Sequence, residues 1–481
     1  MPRVLIADSL SPAAVDIFRQ RGVDVDIKTG LSKDELIAVI GDYDGLVVRS
    51  DTKPNKDVIA AAKNLKVIGR AGIGVDNIDI PAATAAGVVV MNTPFGNSIT
   101  TAEHAIAMMF ALARQLPAAD ASTQAGKWEK SRFMGVEKVE LDDLLARADF
   151  ITLHTPLTDK TRNILSAGAI ARCKPGVRII NCARGGLVDE VALAAALTSG
   201  HVAGAAFDVF AEEPATASPL FNLPNVVVTP HLGAATTEAQ ENVALQVAGQ
   251  MADYLLTGAV QNALNMPSVT AEEAAVMGPW VRLAGHLGAF VGQMTDEPIK
   301  AINVLFDGTV GDMNLAALNC ATIAGIMQAT NPAVNMVSAP VLARERGIQI
   351  STTRQEKTGA FDAYIKLTVV TDTRERSVAG TCFSDGKPRF IQIKGINIDA
   401  EVGRHMLYTT NNDVPGIIGT LGMTMGQNGV NIANFTLGRS GVGKDAIAIL
   451  YLDQRLDQKV VDALEATGLF QQVKPLEFDV A

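Results

Sequence analysis

Between Val177 and His231 the chain carries three apolar runs, each closed by a polar or glycine-rich turn, and this rhythm restricts the region to an α/β sheet. The runs read as a buried strand (Val177 to Asn181), an Arg-Gly-Gly turn, a helix (Val191 to Leu197), a second strand (Ala203 to Val209), an acidic Glu212-Glu213-Pro214 loop and a third strand ending at His231. In an open α/β sheet, ligands bind in the crevice beyond the carboxyl ends of the strands. The three strand ends bring Arg184, Glu213 and His231 to that edge.

A cation, a carboxylate and an imidazole together suit chemistry on a 2-hydroxy acid. A hydride leaves a carbinol carbon only if the hydroxyl proton is removed as well, and His, with an ordinary pKa of about 6.5, transfers that proton near neutral pH. Glu213 on the other ring nitrogen fixes the tautomer and steadies the imidazolium. Arg184 offers a planar fork able to hold a substrate carboxylate bidentately. Each residue alone has a plainer reading, a structural histidine or a solvated arginine, because clustered ionisable groups mark sites only statistically.

The segments NCARGGLVDE, DVFAEEP and PHLGAAT resemble the second half of the D-isomer-specific 2-hydroxyacid dehydrogenases, and within them the phosphoglycerate dehydrogenase branch. That resemblance implies catalytic roles for Arg184, Glu213 and His231. It also implies NAD-dependent oxidation of 3-phosphoglycerate to 3-phosphohydroxypyruvate in serine biosynthesis. Cofactor contacts are implied at Ile73, Thr155, Cys182, Ala183, Arg184, Asp208, His231, Gly233 and Ala234, although Asp208 and Thr155 could equally cap a turn and a loop.

At 481 residues there is room for about three domains. A net charge of −10 without a Lys/Arg run argues against nucleic acid as the main partner. Cys173, Cys182, Cys320 and Cys382 lack metal-ligand or CxxC spacing and read as reduced thiols of a cytoplasmic chain. No metal is expected, and no apolar run approaches the ~18 residues of a membrane span.

From Val4 to Met91 short apolar strands alternate with short helices, one of them opened by Ser32 with Glu35 three residues on. Parallel βαβ units follow, and the resemblance makes them a flavodoxin-like substrate domain (1–97 and 234–266). Arg49, Ser50, Arg70 and Gly72 in its loops would face the substrate phosphate or carboxylate. A long apolar helix from Thr101 to Leu116 then leads into a Rossmann-type domain (98–233).

There the pattern is interrupted. In the family a strand, a GxGxxG turn, a helix and a second strand come next. The glycines let the backbone approach a pyrophosphate at a helix N-terminus. Here Phe133-Met134-Gly135 runs directly into Val136-Glu137-Lys138, and no GxGxxG occurs anywhere in the chain. The pattern resumes with a helix around LDDLLARA and a strand from Phe150 to Leu153. The expectation is a truncated Rossmann domain lacking its first βαβ unit, which takes ~30 residues. Two readings stay open: an NAD-dependent dehydrogenase, or an inactive deletion variant or erroneous gene reading with weak or no NAD affinity. Another D-2-hydroxyacid dehydrogenase, such as a glyoxylate reductase or D-lactate dehydrogenase, is a further alternative, though those normally end earlier.

Beyond a hinge at Asn262 to Pro267, residues 267–402 mix helices (Pro279 to Met294, Met313 to Ala329) with strands (Ile299 to Phe306, Tyr364 to Val370, Ser377 to Phe383, Phe390 to Ile393) in an α+β pattern. This resembles the family's intervening domain. Arg344, Arg346, Arg354 and Lys357 there read as solvated surface rather than an anion site. Residues 403–481 have the βαββαβ order of a ferredoxin-like fold, with Pro415 at a helix start and Gly441 to Lys444 as a hairpin turn. They resemble an ACT domain, which implies an amino-acid effector, L-serine, at Asn411, Asp413 and Asn431. An exposed sheet edge there would favour a homo-oligomer.

Overall fold

The structure, a computed structural model, describes residues 1–94, 98–127, 145, 146, 148–233, 235–356 and 361–480. The junction Phe133 to Leu144, Ala234 and Lys357 therefore lie outside the described residues. The chain forms two compact units, one of residues 1–58, 68–79 and 91–252, the other of residues 59–67, 80–90 and 253–481.

The N-terminal segment alternates β1 (Arg3–Ile6), α1 (Pro12–Gln20), β2 (Asp24–Ile27), α2 (Lys33–Ile40), β3 (Gly45–Val48), α3 (Lys56–Ala61), β4 (Val67–Arg70), α4 (Ile80–Ala85) and β5 (Val89–Met91). The sheet order is β2-β1-β3-β4-β5, with β1 parallel to both β2 and β3. This is the flavodoxin-like order, whose switch point lies between β1 and β3. β1, β3, β4 and β5 are almost unbroken buried apolar runs, as in a parallel sheet covered on both faces, whereas the edge strand β2 is Asp-Val-Asp-Ile and has no buried residue. Ser32 and Glu35 form the expected capping box at α2.

The expected helix from Thr101 to Leu116 is instead two, α5 (Ser98–Ala113) and α6 (Leu116–Gln124). Gln115 at φ 53° reverses the chain, and Pro117, which has no N–H to donate, opens the second helix.

β6 (Phe150–Leu153), α7 (Ala167–Ala171), β7 (Val177–Asn181), α8 (Glu190–Thr198), β8 (Val202–Phe207) and β9 (Val226–Val228) complete the region around the trio. Their sheet runs β6-β7-β8-β9, all parallel. Ala105, Met108 and Leu112 of α5 pack on Ile180 and Ala206 of one face. Leu193 and Leu197 of α8 pack with Ile179, Ala205 and Phe207 of the other. Among the described strands β6 pairs with β7 alone and stands at the sheet edge. The third strand stops at Val228, before His231, because Pro230 cannot donate to a ladder. α9 (Thr237–Thr257) returns to the first sheet, where Gln250 Nε2 donates to the Asn92 carbonyl at 2.8 Å.

In the second unit α10 (Ala271–Met294), β10 (Ala301–Gly308), α11 (Leu315–Gln328), α12 (Ala339–Glu345), β11 (Gln349–Gln355), β12 (Ala363–Val370), β13 (Glu375–Cys382), β14 (Pro388–Ile393) and β15 (Ile396–Glu401) form a six-stranded sheet of order β11-β10-β12-β13-β14-β15. α10 lays Leu283, Leu287 and Phe290 on its apolar face. α10 and α11 touch backbone to backbone, since a Cβ on Gly288 would strike the Thr322 carbonyl and one on Gly325 the Gly285 carbonyl. β11, β15 and α12 were not anticipated. β11 is exposed along nearly its whole length and so lacks the alternation that marks a half-buried strand.

The last segment comprises β16 (His405–Asn412), α13 (Ile417–Gln427), β17 (Ile432–Arg439), β18 (Asp445–Leu452), α14 (Gln458–Glu465) and β19 (Phe470–Glu477). The antiparallel order β17-β18-β16-β19 is ferredoxin-like. Pro415 lies just outside its helix, whose cap is Gly416 at φ 99°. Residues 440–444 make the expected hairpin turn. The sheet edges are partly met from within the unit. Gln293 of α10 donates to the Glu477 carbonyl and accepts from its N–H, and Thr436 Oγ1 on β17 donates to the Asp399 carbonyl.

Candidate active site

The turn after β7 is shaped by Asn181, whose buried amide donates to the Arg184 carbonyl (2.8 Å) and accepts from the Ala183 N–H (3.1 Å). α8 opens with Asp189, whose carboxylate accepts from Ala192 N. Glu190 then accepts from Ala211 N and Ser218 Oγ, pinning the loop that carries Glu213. Glu213 accepts from Phe210 N at 2.9 Å through Oε1, and its Oε2 lies 2.6 Å from His231 Nδ1.

That contact sets the protonation of both partners. The hydrogen bond that His231 donates to Glu213 raises the imidazole above its ordinary value, against the opposing effect of burial. Burial by itself raises Glu213, but the bonds from His231 and Phe210 N, with the charges of His231 and Arg184, outweigh it and leave the carboxyl low. Nδ1 is engaged, so Nε2 is the nitrogen left to face a substrate hydroxyl.

Asp208 is fully buried and spends its carboxylate internally. It accepts from Thr229 Oγ1 (2.5 Å), Leu232 N (2.7 Å) and Gly233 N (2.9 Å), with His104 Nε2 at 3.3 Å. These bonds hold the loop on which His231 sits at φ 54°. Asp208 therefore anchors the loop that carries His231. Cys182 is buried, and burial pushes its thiol up to about 12. Thr155 Oγ1 is buried with no hydrogen-bond partner among the described residues.

Arg184 is less free than a bidentate clamp requires. Its Nε donates to Asp76 at 2.7 Å and its Nη1 to the Ala183 carbonyl at 2.6 Å, so each edge of the fork has one donor engaged. Arg70 Nε donates to Asn77 Oδ1, and Asn77 Nδ2 donates to the carbonyls of Arg49 and Thr52. Burial, and then the charge of Arg184, bring Arg70 down to about 10. Asp8, after β1, accepts from Arg49 N and Thr52 N. The loop comes so near that a Cβ on Gly72 would strike the Arg70 guanidinium and one on Gly74 that of Arg184. Arg49, Arg70 and Arg184 thus share one electrostatic neighbourhood. Ser50 is exposed, and Ile73, 38% exposed, holds Asn92 Nδ2 through its carbonyl.

Asp8, Asp76, Asn77, Asn181 and Glu190 escaped the sequence reading. For Asp76 and Asn77 the signal was proximity to the GRAGIG glycines; the others carry none apart from their contacts.

The effector residues fall in two places. Asp413 accepts from Arg439 and Gly443 N near Asn411, which is buried with Oδ1 unpartnered among the described residues. Asn431 donates to Asp453, at the opposite end of β18, because Asn411 pairs with Ala446. Arg354 is tied to Asp312 and Glu356, while Arg344 and Arg346 are exposed.

Residues 129–233 match the D-isomer specific 2-hydroxyacid dehydrogenase NAD binding domain, and residues 276–394 match the D-3-phosphoglycerate dehydrogenase intervening domain. A D-3-phosphoglycerate dehydrogenase of Synechocystis sp. is 39% identical over 505 residues, covering 95% of this chain and 91% of that protein. The chain belongs to the D-3-phosphoglycerate dehydrogenase family. One from Archaeoglobus fulgidus is 37% identical over 94% of each chain. A crystal structure of a glyoxylate reductase from Paecilomyes thermophila matches with TM-score 0.51 and 26% identity, over 55% of this chain and 98% of that one.

NAD is the cofactor of this family's nucleotide-binding domain. The chain meets its requirements unevenly. The unpartnered Thr155 hydroxyl and the turns at 182–184 and 231–233 suit a ligand beyond the strand ends. The glycine turn that admits a pyrophosphate is absent from the sequence. The Synechocystis match is longer than the 481-residue chain, so that family member holds residues within the matched span that this chain lacks.

Proposed function

We propose that the chain acts on D-3-phosphoglycerate, converting it to 3-phosphohydroxypyruvate as an NAD-dependent cytoplasmic enzyme of serine biosynthesis. The observation that carries this reading is the 2.6 Å pairing of His231 with Glu213 in the same site as Arg184. Arg184 takes the substrate carboxylate, and Arg49 and Arg70 the phosphate. His231 Nε2 removes the hydroxyl proton as the carbinol carbon is oxidised, and Glu213 stabilises the imidazolium that results. Arg184 polarises the carbonyl oxygen that forms.

A second reading has its own support. Without a GxGxxG turn, and with β6 at the sheet edge among the described strands, the polypeptide on this reading retains the proton-transfer pair but not the means to hold NAD. Thermal unfolding with and without NADH, together with NADH consumption on 3-phosphohydroxypyruvate, separates the two. A raised transition with turnover supports the dehydrogenase; an unmoved transition without turnover supports the silent chain.

The C-terminal segment is proposed to bind L-serine near Asn411 and Asp413, where the unpartnered Asn411 Oδ1 favours a polar ligand. Self-association is proposed as well, since Val414, Ile418, Met423 and Val442 are exposed there. Calorimetry with L-serine and sedimentation test these two points.

A further inference from the structure

Asn77, in the loop after β4, ties together two arginine-bearing segments. Its Oδ1 accepts from Arg70 Nε at 3.3 Å, and its Nδ2 donates to the carbonyls of Arg49 at 2.8 Å and Thr52 at 2.7 Å. A side-chain amide accepts through one atom and offers two hydrogens through the other, and this position uses both capacities. Arg70 ends β4 and Arg49 follows β3, and these two strands are neighbours in the sheet. One half-buried side chain therefore fixes how the two strand ends stand to each other.

The 49–52 turn is held from both sides. Asp8, which is buried, accepts from the N–H groups of Arg49 (2.6 Å) and Thr52 (3.1 Å) and from the Thr52 hydroxyl. Asn77 holds the carbonyls of the same two residues. The turn presents the Arg49 side chain, whose guanidinium makes no hydrogen bond or ion pair among the described residues.

Arg70 is steered differently. Its Nε is engaged by Asn77, while its two terminal nitrogens have no hydrogen-bond partner among the described residues. The carboxylates whose charge reaches it are Asp76 and Asp8, and both are committed elsewhere, Asp76 to Arg184 and Asp8 to the 49–52 turn. With Nε held, the end of the fork is left for a ligand, and such a fork matches two oxygens of a phosphate. An arginine fixed before its ligand arrives also loses less rotamer freedom on binding.

We propose that Asn77 is a positioning residue that sets the preference for a phosphorylated acid: it orients the Arg70 fork and anchors the Arg49 turn so that both guanidinium groups meet one phosphate. This rests on the reading of Arg49 and Arg70 as the phosphate ligands. Asn77 itself has no donor or acceptor atom uncommitted, so it acts through the arginines.

The test is calorimetric titration of the full chain with D-3-phosphoglycerate and with D-glycerate, which lacks only the phosphate. Asn77→Ala removes the amide without adding charge; an aspartate would repel the phosphate by itself and obscure the result. The parent should prefer the phosphorylated acid, and Asn77→Ala should lose that preference several-fold while its affinity for D-glycerate is unchanged. A role in loop stability alone would weaken both acids alike and leave their ratio unmoved. If Asn77→Ala does not fold, Asn77→Ser, also uncharged and with one short donor, should show the same loss in smaller measure. An unchanged ratio in the variant that folds overturns the inference and leaves the phosphoglycerate reading standing. A parent chain that binds the two acids equally, or binds neither, overturns that reading and the inference with it.

Discussion

Asp76 Oδ2 lies 2.7 Å from Arg184 Nε, so a carboxylate of the chain itself sits where a substrate carboxylate would take the fork. The two side chains are 53% and 26% exposed, which places the pair among surface ion pairs contributing about 0–1 kcal/mol. Asp76→Asn removes the competitor. We expect 3-phosphoglycerate to bind more tightly by up to about fivefold, measured by calorimetry. Weaker binding would mean that Asp76 orients Arg184 rather than competing for it.

The His231–Glu213 pair sets a pH dependence with a definite sign. The imidazole is raised above 6.5 and the carboxyl lowered below 4.5. His231's share of the pair's stability is complete below 6.5 and is lost as pH rises through the raised value. Glu213's share is present above 4.5 and is lost as pH falls through the lowered one. The pair therefore stabilises most between those limits. Proton removal needs the neutral ring, so oxidation should accelerate as pH rises through the raised histidine value. Nuclear magnetic resonance titration of His231, assigned with His231→Asn, should show that value dropping toward about 6.5 in Glu213→Gln.

The two halves of this site differ in how far they could be read from sequence. β7 was read with its observed limits, because a run of apolar residues between a glycine and an Arg-Gly-Gly turn leaves little choice. The Arg184–Asp76 contact was out of reach, since the partners lie 108 positions apart and neither residue type announces the other. Asp208 is ambiguous for a related reason: a carboxylate at a strand end serves a ligand or a loop, and its three internal donors lie 21 to 25 positions away. The Thr101 to Leu116 helix misled because apolar periodicity continues across Gln115, where the backbone turns.

Asp208→Ala would leave the N–H groups of Leu232 and Gly233 and the hydroxyl of Thr229 without their acceptor. An unsatisfied buried group costs about 1–3 kcal/mol, so the variant should lose at least that much in urea unfolding. Asp208→Asn, keeping one acceptor oxygen, should lose less.

Two glycine substitutions should act in opposite directions. Gly325→Ala drives a methyl into the Gly285 carbonyl where α10 and α11 touch, and overpacking of this kind costs about 1–3 kcal/mol. Gly249→Ala, inside α9 with open space around its Cβ position, should stabilise by about 0.5–1 kcal/mol through helix propensity. Thermal unfolding of the two variants reads both signs.

The strongest expectation concerns the edge of β6. In a doubly wound sheet the strand that precedes the glycine turn lies at the centre, beside the fourth strand, and its helix N-terminus receives the pyrophosphate. Here β6 pairs with β7 alone among the described strands, and the sequence passes from Gly135 to Val136 with no such turn. Grafting a strand, glycine turn, helix and strand between Gly135 and Val136 should supply a neighbour for β6 and a cradle for the diphosphate. NADH should then raise the unfolding temperature of the grafted chain by more than it raises that of the parent. A parent chain that NADH already stabilises would show that its remaining residues bind the dinucleotide without a glycine turn.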